Sequence, residues 1–109
     1  MAPRTTITFA SGVLLDAIGR GVRHGFSLMD ATGLPDGTVY PALRRMEGNG
    51  WLASRWEDED EAHAQGRPAR RYYELTAEGR RALARARERF PGLARMAPPP
   101  GAVPSGDAS

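Results

Sequence analysis

Leu34-Pro35-Asp36-Gly37-Thr38-Val39-Tyr40-Pro41-Ala42-Leu43-Arg44-Arg45-Met46 is the stretch on which the fold turns. Thr32-Gly33 breaks the chain just before it. Pro35 suits a first helical position, and Asp36 complements the positive end of a helix. Val39, Ala42, Leu43 and Met46 recur at helical spacing and form an apolar stripe. Gly37, Tyr40, Pro41, Arg44, Arg45 and Gly48 fall largely on the other side. Pro41 conflicts with this helix, because its ring presses on the preceding turn and its nitrogen donates no hydrogen bond. Two solutions stay open: a start near Thr38, or a local kink. Gly48-Asn49-Gly50 stops the helix.

The flanks complete the pattern. Upstream, Ile7, Ala10, Leu14, Ala17 and Ile18, with Val13 and Leu15 widening the stripe, predict a helix over about 6–20, ended by Gly19-Arg20-Gly21. A second, short helix is expected from His24 or Gly25 to Ala31, with Phe26 and either Leu28 or Met29 turned inward. Downstream, 51–57 and 70–75 read as two strands joined by a long, polar, mobile tip. Thr76 is a good N-cap for a last helix over 77–90, although Gly79 stands where a capping box wants Glu or Gln. Pro91-Gly92 ends or kinks that helix. The order helix, helix, tight turn, helix, hairpin, helix is that of a winged helix-turn-helix: mainly α with a small β-hairpin. Residues 1–96 are expected to form this domain, with 76–90 as a dimerisation helix. The Pro- and Gly-rich segment 97–109 cannot bury apolar area and is expected to be a disordered tail.

Composition narrows the function. A chain of 109 residues suits one small domain. With no cysteine there is no disulfide framework, no Cys-ligated zinc and no thiol nucleophile. Two histidines make a His-rich metal site a poor expectation. No apolar run is long enough to span a membrane and no secretory signal is visible, so a cytoplasmic protein is expected. No Ser-His-Asp set, apolar carboxylate pair or phosphate-cradling Gly loop suggests an enzyme. No cofactor is expected. The net charge of +2 hides a polarised distribution: 57–61 carry −5, whereas 67–95 carry +6. Such polarity suits a polyanionic partner.

Three segments now carry a resemblance: His24-Gly25-Phe26, the stretch 34–46, and Gly66-Arg67-Pro68-Ala69-Arg70-Arg71-Tyr72-Tyr73-Glu74-Leu75-Thr76 with Glu78-Gly79. Over roughly residues 5–90 the chain resembles the PadR family of winged-helix transcriptional regulators. The resemblance implies a homodimer that binds double-stranded DNA, usually as a repressor, on a near-palindromic operator. Some members of the family are released by small aromatic or drug-like effectors. The family carries a proline at the place of Pro41, which accounts for the residue the helix rules opposed. Two departures stand out: a shortened second helix ending in Asp30-Ala31-Thr32-Gly33, and a single C-terminal helix. A winged-helix module that docks a protein and does not read DNA is the alternative function.

The exposed face of the third helix is the candidate reading surface. Thr38, Tyr40, Arg44 and Arg45 offer hydroxyls, a ring and two guanidinium groups, and Arg to guanine is the commonest bidentate base contact. The competing reading pairs Arg44 and Arg45 with Glu47 or Glu57 on a solvated face. Arg67, Arg70 and Arg71 flank the wing and are expected at phosphates, against cross-strand pairing with Glu57 and Asp58. His24 stands where it either donates to a phosphate or caps the second helix. The acidic run 57–61 is expected to sit away from DNA as a solvated loop tip. A metal site from Asp58, Asp60 and His63 is disfavoured. Gly79, Leu83, Ala86, Phe90 and Leu93 make a thin heptad seam, and Leu14, Leu83, Ala86 and Phe90 are the candidate dimer contacts. Packing of that seam onto its own domain is the competing reading. Trp51 and Trp56 lie on opposite faces of their strand, so at most one belongs to the core. The other is free to line a ligand pocket or a dimer contact.

Overall fold

A computed structural model of the chain describes residues 7–93. Helix α1 spans Phe9–Gly19, α2 Gly25–Thr32 and α3 Asp36–Gly48. Strand β1 (Leu52–Trp56), the short helix α4 (Glu59–Ala64), strand β2 (Arg71–Leu75) and helix α5 (Ala77–Arg89) complete the order. The expected tail 97–109 lies outside the described residues.

Thr8 starts α1, its hydroxyl accepting from the Ser11 N–H at 3.0 Å. Every residue from Ser11 to Ile18 is buried. The widened stripe expected from sequence leaves out Ser11, Gly12 and Asp16: α1 is the hub, covered by α2, α3, α5 and β2. Leu14, Leu15, Ile18, Leu28, Leu43 and Met46 are fully buried around it. Each such side chain contributes roughly 1.5–3 kcal/mol by leaving water. Asp16 is also fully buried. Its carboxylate accepts from Arg20 Nε at 2.7 Å and from Arg87 Nη2 at 2.7 Å. A buried charge needs such partners, and this one fastens α5 to α1.

Gly33 ends α2 with φ 75°, and its N–H donates to the Met29 carbonyl at 2.8 Å. Helix α3 then begins at Asp36, so Pro41 lies inside it. Of the two options, the early start holds; Pro41 costs one ladder hydrogen bond and leaves the Val39–Ala42–Leu43–Met46 stripe buried.

The hairpin is antiparallel, with Leu52 opposite Leu75 and Trp56 opposite Arg71. The segment before α2 extends the sheet: the Tyr73 N–H donates to the Arg23 carbonyl at 2.7 Å, and His24 bridges to Tyr72. The acidic run is not a loop tip. Asp58 caps α4 by accepting from the Glu61 N–H at 3.1 Å, and acids crowd the positive first turn. The tip closes at Gly66, φ 73°. Thr76 caps α5, accepting from the Gly79 N–H at 3.0 Å. Gly79 replaces the capping-box acid because a Cβ there would collide with the Trp51 carbonyl.

Candidate nucleic-acid interface

Helix α3 and the hairpin stand side by side, and Glu47 and Glu57 decide which arginines they present. Glu57 sits at the base of the wing. Arg67 Nη2 donates to its Oε2 at 2.8 Å, the Arg70 N–H donates at 3.2 Å and the Tyr72 hydroxyl at 3.3 Å. These donors, Arg67 first, hold the Glu57 carboxyl down at about 2 against the opposing effect of burial. Glu47, on α3, accepts from Arg71 Nη2 at 3.1 Å. Ser54 joins this pair, accepting from Arg71 Nε at 3.0 Å. The Arg71 guanidinium also lies 5.5 Å from the Trp56 ring centroid and 6.0 Å from that of Tyr73.

Both acids are thus taken by wing arginines. The pairing of Arg44 and Arg45 with Glu47 or Glu57 is not formed, and among the described residues Arg44, Arg45 and Arg70 carry no ion pair. Arg67 and Arg71, expected at phosphates, are each paired with an acid of the chain itself. Arg67 is a staple that closes the wing, and Arg71 is a strut between β2 and α3. Each guanidinium is thereby held within the chain, while the Arg71 side chain keeps 39% exposure.

The outer ridge of α3 runs Gly37, Pro41, Arg44, Gly48, at the 4, 3, 4 spacing of one helix face. Three of these four residues have no reaching side chain, so a partner can come close to the helix. Arg44 is the long polar side chain on that ridge, and it is exposed. Tyr40 flanks it and is 40% exposed, and Arg45 and the half-buried Thr38 lie on the opposite flank.

His24 belongs to the fold. It is buried, and its Nδ1 accepts from the Ser27 N–H at 3.4 Å at the start of α2. The ring meets Tyr72 edge-on at 5.7 Å. Its Nε2 lies 2.8 Å from Ser27 Oγ. Of the two readings of His24, the structure shows the capping contact.

The seam of α5 is also turned inward. Leu14, Leu83 and Ala86 are buried in the chain's own core. A Cβ on Gly12 would meet Leu93 at 3.2 Å and Ala86 at 3.3 Å, so small residues let α5 press against α1. Phe90 is half-buried, edge-on to Phe9 with centroids 5.3 Å apart. Of the four candidate dimer contacts only Phe90 keeps accessible surface worth counting.

One feature of the face was missed. Phe26 was expected inside, yet it is 72% exposed. Trp51 takes the core place and Trp56 is 64% exposed. Phe26, Trp56 and Tyr40 line one groove of about 490 Å³ between the start of α2, α3 and the hairpin, together with Arg70, Pro68 and Ala69. The Tyr40 ring leaves no room for a Cβ at Gly25, which would lie 2.5 Å from Cε1. Only the two-tryptophan alternation hinted at this groove in the sequence. Among the described residues no His, Asp and Glu group of three gathers for a metal, and no helix is long and apolar enough to cross a membrane.

Comparisons with known proteins place the chain in a family and a fold. The family described as transcriptional regulator PadR-like matches residues 14–85. A PadR family transcription regulator from Clostridium difficile R20291 superposes with a TM-score of 0.66 at 21% identity, over 82% of this chain and 94% of that one. A transcriptional regulator from Clostridium thermocellum gives 0.65 at 20% identity, over 81% and 88%. A PadR family regulator from Eggerthella lenta gives 0.59 at 24% identity, over 80% and 79%. At such identities these structures establish the winged-helix fold. No curated protein matches the chain.

Proposed function

The chain belongs to the PadR-like family of transcriptional regulators, and from that premise we propose that it is a homodimeric, sequence-specific DNA-binding repressor released by a small ligand. The observation that carries this reading is the division of charge on the α3 face. Glu47 and Glu57 neutralise Arg71 and Arg67, and Arg44, Arg45 and Arg70 are left to meet a polyanion. The bare ridge around Arg44 suits insertion into a major groove, where an arginine reads guanine O6 and N7. Tyr40, Thr38 and Arg45 flank it at phosphate height, and Arg70 serves the wing side. The acidic α4 points the proposed DNA path toward the ridge and away from the wing tip, because like charges repel there.

Two copies would place their α3 helices in successive major grooves about one turn apart, on a near-palindromic operator. The interface would use surface near Phe9 and Phe90, since the rest of the seam is internal. Selection of bound sequences from random duplex, followed by anisotropy titration at several salt concentrations, tests the reading. The expected result is a paired half-site and an affinity that falls with salt. Equal affinity for random duplex would refute it, as would partner capture that survives nuclease without any DNA shift.

A further inference from the structure

We propose that the outer edge of β1 pairs with the same strand of a second copy, antiparallel about Ser54, and so joins the chain to itself through its wing. This contact is independent of the regulatory reading above and of the surface near Phe9 and Phe90. The hydrogen bonds of the hairpin fix which way the backbone of β1 points. At one end the Trp51 carbonyl accepts from the Thr76 N–H at 3.1 Å, and at the other the Glu57 N–H donates to the Arg70 carbonyl at 2.7 Å. In an antiparallel ladder every second residue bonds to its partner strand, so Trp51, Ala53, Arg55 and Glu57 face β2. Leu52, Ser54 and Trp56 therefore aim their N–H and carbonyl groups the other way. Tyr73, opposite Ser54, agrees: its N–H leaves the hairpin and donates to the Arg23 carbonyl on the far side at 2.7 Å. Among the described residues no strand lies beyond β1.

Natural sheets protect such an edge with a proline, an inward-pointing charge or a bulge. β1 has none of these. Its register to β2 runs unbroken from Leu52 to Trp56, and Leu52, Ser54 and Trp56 share one uncharged face. Antiparallel pairing about Ser54 is two-fold symmetric and uses the whole strand. It sets Ser54 against Ser54 of the second copy and Leu52 against Trp56, with about six hydrogen bonds, two at each facing pair. The side chains suit this register. Trp56, 64% exposed, gains an apolar cross-strand neighbour. Ala53 falls opposite Arg55, and just beyond the strand Glu57 and Asp58 fall opposite Trp51 and Gly50, so no like charges stand directly opposite. A second copy fits better than the chain's own segment 97–109, where Pro98, Pro99, Pro100 and Pro104 have no N–H for a ladder. A strand of five residues makes a small contact, so the association is weak and depends on concentration.

Amide hydrogen exchange of the full chain, resolved by residue at about 10 µM and about 1 mM, tests the edge across the range where so small a contact forms. Exchange at Ser54 and Trp56 should slow by about fivefold at the higher concentration, while Ala53 and Arg55, already bonded to β2, stay within about twofold. Light scattering on the same samples should show a mass that grows with concentration, and Phe90→Glu should not abolish that growth. Ser54→Pro removes an N–H that points away from the chain's own ladder. Trp56→Lys puts a charge on the edge at an exposed site that leaves folding intact. The Trp56 amide in the first variant and the Ser54 amide in the second should exchange alike at both concentrations. Ser54→Ala loses the hydroxyl's contacts with Glu47 and Arg71 but keeps the N–H, so it should still pair. Flat exchange at Ser54 and Trp56 of the wild-type chain overturns the proposal. A rising mass with flat exchange there places self-association elsewhere and overturns it equally. Slowing that survives Trp56→Lys, or growth in mass that Phe90→Glu abolishes, overturns it too. None of these readouts contains DNA, so failure of the edge contact and failure of the regulatory reading are told apart.

Discussion

Arg44→Ala separates recognition from folding. Arg44 is exposed on the outer ridge of α3 and has no ion pair among the described residues. Its loss uncovers no buried group, and alanine is the better helix former, so unfolding free energy should stay within about 0.5 kcal/mol of wild type. The DNA effect should be far larger. One bidentate arginine–guanine contact is worth about 1–3 kcal/mol, or roughly 5- to 150-fold in Kd. A homodimer makes the contact in both half-sites, so the free-energy loss on a full operator should be about twice that on a single half-site. The assay is anisotropy titration against the selected operator across a salt series, with urea unfolding of the same samples. A base contact predicts a loss confined to one base pair per half-site and an unchanged salt slope. A phosphate contact predicts a uniform loss and a slope shallower by about 0.9 per contact. A folded Arg44→Ala protein that binds its operator with wild-type affinity would refute the placement of DNA on this ridge.

Three further outcomes test the physical account. Gly79→Ala should destabilise by about 2 kcal/mol or more, because the new Cβ collides with backbone at Trp51 and not with a flexible side chain; an unchanged Tm would refute the tight approach of α5 to the hairpin. Asp16→Asn should cost about 1–3 kcal/mol in urea unfolding, below the usual loss for a broken buried pair, because Arg20 and Arg87 reach solvent and are rehydrated; DNA affinity per folded molecule should not move. Glu57 has its carboxyl depressed from 4.5 to about 2, so its contribution is fully present above about 4.5 and is lost as pH falls toward 2; Glu57→Gln should flatten acid unfolding across that window, and an unaltered profile would sink the staple.

Local rules made most of the fold legible. Helix periods, the Gly33 stop, the Thr76 cap and the strand formers of 70–75 each depend on neighbours a few residues away, and each is visible in the chain as written. Helix α4 is local too, with its cap at Asp58, but its five successive acids read as a solvated loop tip before they read as a favourable helix N-terminus. Phe26 was misplaced because an eight-residue helix offers two apolar faces, and only the packing of Leu28 against α1 and α3 chooses between them.

Sequence by itself determined the element order apart from α4, the α3 stripe with arginines opposite it, and the family resemblance. Tertiary structure decided which charges remain available. Arg71 and Glu47 are 24 residues apart, and Arg87 and Asp16 are 71 apart. No periodicity encodes such distant pairings; they follow from how α3, α5 and the hairpin close on α1. That closure pairs Arg67 and Arg71 with acids, buries Leu14, Leu83 and Ala86, and leaves Arg44 and Arg45 exposed and the half-buried Arg70 beside an aromatic groove.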